Sequence, residues 1–186
     1  MTRAELKTEL DILHARLNRR AFVSPDPLQV VYRYETDADR EVAGLIAACL
    51  AYGRVAQILR NLDTVLAALG PDPANTLRRE GRRAAARLVG FQHRWTTCEE
   101  LGQFFDGIAR ALREHGSLQA CFLAHQPENA ETTLPGLTGF TRELRMGRPP
   151  DSLISAPEKG SACKRLHLYL RWMARRDDVD PGCWPR

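Results

Sequence analysis

The feature that most constrains this chain is an uninterrupted apolar run of eleven residues, Val42 to Tyr52. The run is about half of the ~20 residues that a helix needs to cross a bilayer, so it is typical of a buried helix. Thr36 precedes it as a candidate N-cap. The run therefore predicts a central helix, and its small residues would let neighbours approach closely: Ala43, Gly44, Ala47, Ala48 and Ala51.

Helical periodicity dominates the rest of the sequence, and no stretch shows convincing strand alternation. Thr2 and Glu5 form a capping-box pattern ahead of a leucine stripe, and Thr96 and Glu99 form a second one ahead of a regular apolar face that closes at Gly116. A final helix is expected over residues 161–176. The pattern predicts an all-α fold, a compact orthogonal bundle of roughly eight helices in one domain spanning residues 1–186.

Charge is distributed unevenly along the 186 residues, which contain 27 Lys and Arg against 23 Asp and Glu. Residues 78–94 carry six arginines and one glutamate, and residues 142–186 carry ten cations and six acids. If the two segments meet in space, they would form a patch suited to phosphates; alternatively, they are solvated helix faces. No signal-peptide pattern is present, so we expect a soluble cytoplasmic protein without a membrane partner.

Cysteine and histidine positions give no sign of a metal or cofactor site. The five cysteines are widely spaced without a CxxC pair, and reduced thiols packed in the core are expected. No glycine-rich phosphate loop or zinc motif is present. The sequence thus predicts no cofactor and no metal, and the five histidines are interpreted as surface or packing residues: His14, His93, His115, His125 and His167.

The tract from Gly160 to Leu166 is the densest candidate for chemistry. Gly160 and Ser161 are expected to open the last helix, whose first-turn amides could bind a DNA phosphate. Lys164 would lie near the positive end of that helix, and partial burial there would favour the neutral amine that Schiff-base chemistry needs. The alternative is an ordinary solvent-facing lysine beside Arg165.

Several strings together resemble a known family. They are Tyr52-Gly53-Arg54, Gly160 to Arg165, Leu170 to Met173 with Arg175, and Asp177 to Gly182 with Trp184. On these motifs the chain is identified as a member of a bacterial family catalogued only as domain of unknown function two thousand four hundred. The resemblance covers nearly the whole chain.

That family in turn resembles the helix-hairpin-helix DNA glycosylases, particularly the archaeal 8-oxoguanine type. In those enzymes a helical lysine attacks the sugar C1′, and a downstream aspartate stabilises the charged sugar. The resemblance implies that Lys164 is the catalytic amine. It also implies that double-stranded DNA phosphates are held by these residues: Gly160, Ser161, Arg54, Arg82, Arg83, Arg165 and Arg171.

One departure from the family matters. Typical members continue past the tryptophan into the aspartate-bearing motif, whereas this chain stops at Arg186 and none of its late aspartates lies in such a motif. We therefore expect a C-terminally incomplete glycosylase-like fold, with self-association through core surface that truncation would expose.

The leading interpretation is a DNA-binding protein of DNA glycosylase or abasic-site lyase ancestry, inactive if the missing aspartate is indispensable. Two alternatives remain open. One is a non-catalytic DNA or RNA binder that retains the basic surface, and the other is a helical protein-interaction module without a nucleic-acid role.

Overall fold

The computed structural model describes residues 1–184 and is mostly helical, in agreement with the predicted all-α class. Short 3₁₀ segments and a small antiparallel hairpin connect the helices. The hairpin has two strands of two residues each, β1 (Gln92–His93) and β2 (Thr96–Thr97). The described α-helices are α1 (Arg3–Leu17), α2 (Asp37–Cys49), α3 (Val55–Leu69), α4 (Pro73–Glu80), α5 (Cys98–His115), α6 (Leu118–Leu123), α7 (Leu134–Leu144) and α8 (Lys164–Ala174). Within residues 1–184, no helix combines the length and apolarity needed to cross a bilayer.

Helix α2 is the centre of the fold, as the apolar run predicts. Every residue from 42 to 50 is buried, and the helix packs against α4, α6, α8 and the 3₁₀ segment Pro27–Arg33. A Cβ at Gly44 would lie 3.0 Å from the Met173 Cε and 3.5 Å from a Val31 methyl. The small side chains of α2 therefore set how closely its neighbours approach.

Two buried carboxylates near the start of α2 bind the first amides of other helices. An Asp39 oxygen accepts a hydrogen bond from the Ala74 amide at the start of α4 (3.0 Å). The Glu41 carboxylate accepts from the Leu118 and Gln119 amides at the start of α6 (2.9 and 3.3 Å). Burial raises the pKa of Glu41, and the two amide hydrogen bonds oppose that rise. Each carboxylate accepts hydrogen bonds from first-turn N–H groups, which have no acceptor within their own helix.

We expect Glu41→Ala to destabilise the protein by about 2 kcal/mol or more, because a buried amide without a partner costs about 1–3 kcal/mol. Urea unfolding of both proteins measures the difference. The matched control is Glu35→Ala, which removes an exposed carboxylate just before the same helix and should change stability by less than about 0.5 kcal/mol. Equal stability of Glu41→Ala and the unmodified chain would contradict this role.

Helix α5 is the longest described helix and packs against α4, α6, α7 and the 3₁₀ segment Gly81–Leu88. It crosses the end of α7 at Gly107, where a Cβ would overlap the carbonyl oxygen of Leu144. Backbone carbonyls cannot yield as flexible side chains do. Glycine is therefore required at this position for steric reasons.

Gly107→Ala should lower the free energy of unfolding by at least about 1–3 kcal/mol, the usual cost of overpacking a core. Gly44→Ala is the control, since its new methyl would meet the movable tip of Met173 and should cost less. Denaturant titrations of the two variants compare these costs, and a Gly107→Ala cost no larger than that of Gly44→Ala would refute the steric argument.

Two predicted helix starts are wrong by one to three residues. The capping box of α5 uses Thr97 and Glu100, because the Thr96 side chain is buried with its hydroxyl 2.6 Å from that of Tyr52, whereas Thr97 is exposed. Helix α8 begins at Lys164 after Cys163, whose φ is +46°. Gly160 and Ser161 consequently lie outside the helix and do not supply its first-turn amides.

Helix α1 forms with the predicted Thr2–Glu5 capping box, yet it buries none of its residues. Its leucine stripe remains exposed, with exposed fractions from 41% at Leu13 to 54% at Leu10. The stripe forms one side of a shallow groove, and Arg171, Arg175 and Val179 line it as well. The amphipathic pattern therefore identified a helix but not a core element.

Candidate nucleic-acid interface

The candidate site lies at the C-terminal end of α2, where the chain turns at Tyr52 and Gly53. Gly53 has a φ of +104°, and a Cβ there would lie 3.2 Å from the Arg94 side chain. Glycine thus permits both the backbone turn and the approach of Arg94. The turn places Tyr52 against the β1–β2 hairpin.

A buried hydrogen-bond network fixes the hairpin to this turn. The Tyr52 hydroxyl donates to the His93 carbonyl (3.2 Å) and lies 2.6 Å from the Thr96 hydroxyl. His93 is fully buried; its Nε2 lies 3.1 Å from the Tyr52 carbonyl and its Nδ1 lies 2.7 Å from the Asn61 amide nitrogen. These distances fit a His93 that donates from Nε2 and accepts at Nδ1.

The two residues at the hairpin tip, Arg94 and Trp95, project outward from this network. The Trp95 ring stacks on the Tyr52 ring with centroids 5.2 Å apart and planes 9° apart. The Arg94 guanidinium lies 4.8 Å from the centre of the Trp95 ring. Trp95 is 54% exposed, so a rigidly supported aromatic surface faces solvent. We call Tyr52, Arg94 and Trp95 the Trp95 platform.

Arg165 connects the platform to the start of α8. Its guanidinium donates to the Cys49 carbonyl at the end of α2 and to the Ser152 carbonyl. It also lies 5.1 Å from the centre of the Tyr52 ring. Arg165 is therefore engaged with the protein's own backbone and aromatic ring, and its neighbour Lys164 is exposed at the first position of the helix.

The structure brings some of the predicted site residues together. Arg54 lines a small cavity with Tyr52 and Arg94, and the Arg165 guanidinium lies 5.1 Å from the centre of the Tyr52 ring. Arg94 closes the first basic segment and Arg165 belongs to the second, so the two segments meet at Tyr52. Of the two alternatives for Lys164, the structure shows the solvent-facing lysine beside Arg165, because its side chain is exposed.

Other predicted residues lie elsewhere. Arg82 pairs with Asp106 of α5 (3.7 Å) and shares a cleft with three other arginines. Arg83 donates to the Arg79 carbonyl (3.4 Å). Arg171 lies two turns along α8 from Lys164 and pairs with the buried Asp180 (2.9 Å). Gly160 and Ser161 are in the loop before α8, where the Ser161 hydroxyl accepts from the Cys163 amide.

Sequence patterns did not predict the Trp95 platform. Arg94 and Trp95 lie between helices in a segment without apolar periodicity, and the hairpin turn lacks the Asn-Gly or Gly-Gly pair that marks most two-residue turns. His93 was interpreted as a surface or packing residue, and the structure shows that it packs. The adjacent Arg94 and Trp95 in the sequence are the signal that could have indicated the platform.

The comparisons with known proteins agree with the sequence resemblance at the level of the family. The family model described as a protein of unknown function (DUF2400) matches residues 26–186, and the chain belongs to that family. No curated protein and no solved structure matches the chain. The match begins after α1, so the family-defining region contains the platform, α5 and α8.

His93 generates a pH-dependent prediction. Burial lowers the pKa of His93 below its ordinary value of about 6.5. The unfolded chain then binds a proton that the folded chain excludes, so His93 contributes stability above that ordinary value, which is lost as the pH falls through the folded pKa. Melting temperatures at about pH 7.5 and about pH 5.5 should show a larger loss for the unmodified chain than for His93→Gln.

The control for this prediction is His167→Gln, which replaces an exposed histidine on α8. It should keep the pH dependence of the unmodified chain. If the melting temperature falls equally for the unmodified chain and for His93→Gln between the two pH values, His93 is not the group responsible.

Proposed function

We propose that this protein binds DNA through the Trp95 platform and that Lys164 is the reactive amine of a DNA glycosylase or abasic-site lyase. The observation that carries the proposal is an exposed tryptophan ring that stacks on Tyr52 beneath the Arg94 guanidinium, with Arg165, the sequence neighbour of Lys164, 5.1 Å from the centre of the Tyr52 ring. Stacking of a base on such a ring contributes about 1–3 kcal/mol.

The arginines around the platform suit the sugar-phosphate backbone. Arg54 is exposed at the first turn of α3, and Arg94 is exposed at the hairpin tip. The Arg94 guanidinium lies over the Trp95 ring, and Arg54 lines the adjoining cavity with Tyr52 and Arg94, so one nucleotide could engage an aromatic ring and a cation together. This arrangement suits an unstacked or flipped nucleotide better than a regular duplex base.

In this proposal, Lys164 acts on a nucleotide bound at the platform. It follows Cys163 directly and precedes Arg165, whose guanidinium lies 5.1 Å from the centre of the Tyr52 ring. In the proposed reaction, the amine adds to the C1′ aldehyde of an abasic sugar and expels water to give an imine. Abstraction of a C2′ proton then releases the 3′-phosphate.

Borohydride trapping on a duplex with an abasic site or 8-oxoguanine tests the chemistry. Reduction of the imine should give a covalent adduct that disappears in Lys164→Gln and persists in Lys7→Gln, which removes an exposed lysine on α1. An adduct that survives Lys164→Gln would exclude Lys164 as the nucleophile.

Gel retardation measures the platform separately. Trp95→Ala should weaken binding by about 1–3 kcal/mol, whereas Phe22→Ala, which removes another ring more than half exposed, should have no effect. Binding should fall with salt at a log–log slope of about −0.9 per phosphate contact. Salt-sensitive retardation without an adduct would indicate the non-catalytic binder, and no retardation at low salt would reject the DNA proposal.

A helical protein-interaction module is the second candidate function, and α1 favours it. This helix exposes Leu6, Leu10, Leu13 and Leu17 without burying any residue. Sedimentation velocity tests it: concentration-dependent association that Leu10→Ser with Leu13→Ser removes, at unchanged thermal stability, would support an α1 interface.

A further inference from the structure

Four side chains that can ligate a metal converge where α5, the α6–α7 connection and α7 meet. Glu114 and His115 end α5, His125 follows α6, and Glu143 lies in the last turn of α7. Ligand atoms of Glu114, His115 and Glu143 all lie within 4.8 Å of one another. The His125 Nε2 is 3.6 Å from a Glu143 oxygen. His125 therefore borders the three-residue group and is the adjoining fourth candidate ligand.

Two imidazole nitrogens in this cluster are buried, and neither forms a hydrogen bond within the described part of the chain. The Nε2 atoms of His115 and His125 have no solvent exposure and no hydrogen-bond partner in the described part of the chain. Buried polar atoms normally have a partner, so an unpartnered pair in one place requires an explanation. The two rings face each other edge to face with centroids 6.3 Å apart. Imidazole nitrogen is the commonest protein ligand for transition metals.

Helix α7 is shaped to admit the His125 ring. A Cβ at Gly139 would overlap that ring, so glycine at this position lets the imidazole lie directly on the helix. Gly139 is one turn before Glu143, and the ring therefore extends toward the Glu143 carboxylate. A specific steric accommodation thus holds a nitrogen ligand beside an oxygen ligand.

Charges of both signs surround the cluster. It lies at the C-terminal ends of α5 and α7, where the negative ends of the helix dipoles favour a cation. The Arg110 Nε is 3.0 Å from a Glu114 oxygen and 4.0 Å from a Glu143 oxygen. Arg82, Arg113 and Arg148 line the same cleft as Glu114, so a metal ion competes with guanidiniums for these carboxylates. The Glu114 side chain is 46% exposed, which provides a route for an ion from solvent.

The nearby thiol is not a competing ligand. The Cys121 sulfur is not among the ligand atoms that lie within 4.8 Å of one another, which come from Glu114, His115 and Glu143. The available donor set therefore consists of nitrogen and oxygen atoms, which suits zinc and related divalent transition metals. Magnesium and calcium prefer oxygen ligands alone.

We propose that Glu114, His115 and Glu143, joined by His125, bind one divalent transition-metal ion of the Zn²⁺ class. The ion would connect the end of α5 to the α6–α7 connection and α7. Sequence spacing gave no indication of this site, because its ligands come from three separate elements.

Zn²⁺ titration of the metal-stripped full-length chain by calorimetry tests the proposal. We expect one ion per chain and a rise in melting temperature on binding. His115→Gln and Glu143→Gln should each weaken binding by at least about tenfold, since even changes outside the ligand set cost that much. The control, His14→Gln on the exposed face of α1, should bind as the unmodified chain does. The Co²⁺-loaded chain should show no thiolate charge-transfer band.

A second variant separates ligation from folding. Arg110→Met removes the cation that competes for both carboxylates and should tighten Zn²⁺ binding, a gain that misfolding cannot produce. Absence of saturable binding, binding unchanged in both His115→Gln and Glu143→Gln, or a thiolate band with Co²⁺ would each overturn the proposal. None of these measurements involves nucleic acid, so their outcome is independent of the proposed DNA function.

Discussion

The fold depends on a helix that is buried along almost its whole length. Helix α2 has no access to water from residue 42 to residue 50, so the polar groups at its ends must find partners in the protein. Asp39 and Glu41 bind the first amides of α4 and α6, and Arg165 binds the carbonyl of Cys49 at the other end. Each of these contacts joins residues that are far apart in the chain. Satisfying one buried helix thereby fixes the positions of three others.

The same constraint positions the candidate interface. Arg165 must reach the end of α2, which brings the start of α8 beside the turn at Tyr52. Tyr52 in turn holds the hairpin through His93 and Thr96, and the hairpin presents Trp95. The platform is thus supported by core contacts although its outer surface is exposed. Rigid support of this kind lowers the entropy lost when a ligand binds.

Many arginines in this chain donate hydrogen bonds to backbone carbonyls instead of presenting a free charge to solvent. All but three of its 27 cations are arginine, and several guanidiniums bind backbone carbonyls. Arg78 donates to Gly116 and Arg113 donates back to Arg78, which joins α4 to the end of α5 (2.9 Å each). Arg145 likewise donates to Ile154 (2.7 Å). Counting charge along the sequence therefore overstates the basic surface that remains for phosphates.

The sequence by itself determined the helical class, the central place of α2 and the capping of α1, because apolar periodicity and capping residues act within a few residues of each other. Only the tertiary structure decided which faces are buried, and α1 shows this, since its leucine stripe stays exposed. The tertiary structure also assembled the two candidate sites. Trp95 meets Tyr52 across 43 residues, and Glu143 meets Glu114 across 29. Local sequence patterns carry no information on contacts across such sequence separations, because only tertiary packing brings these side chains together.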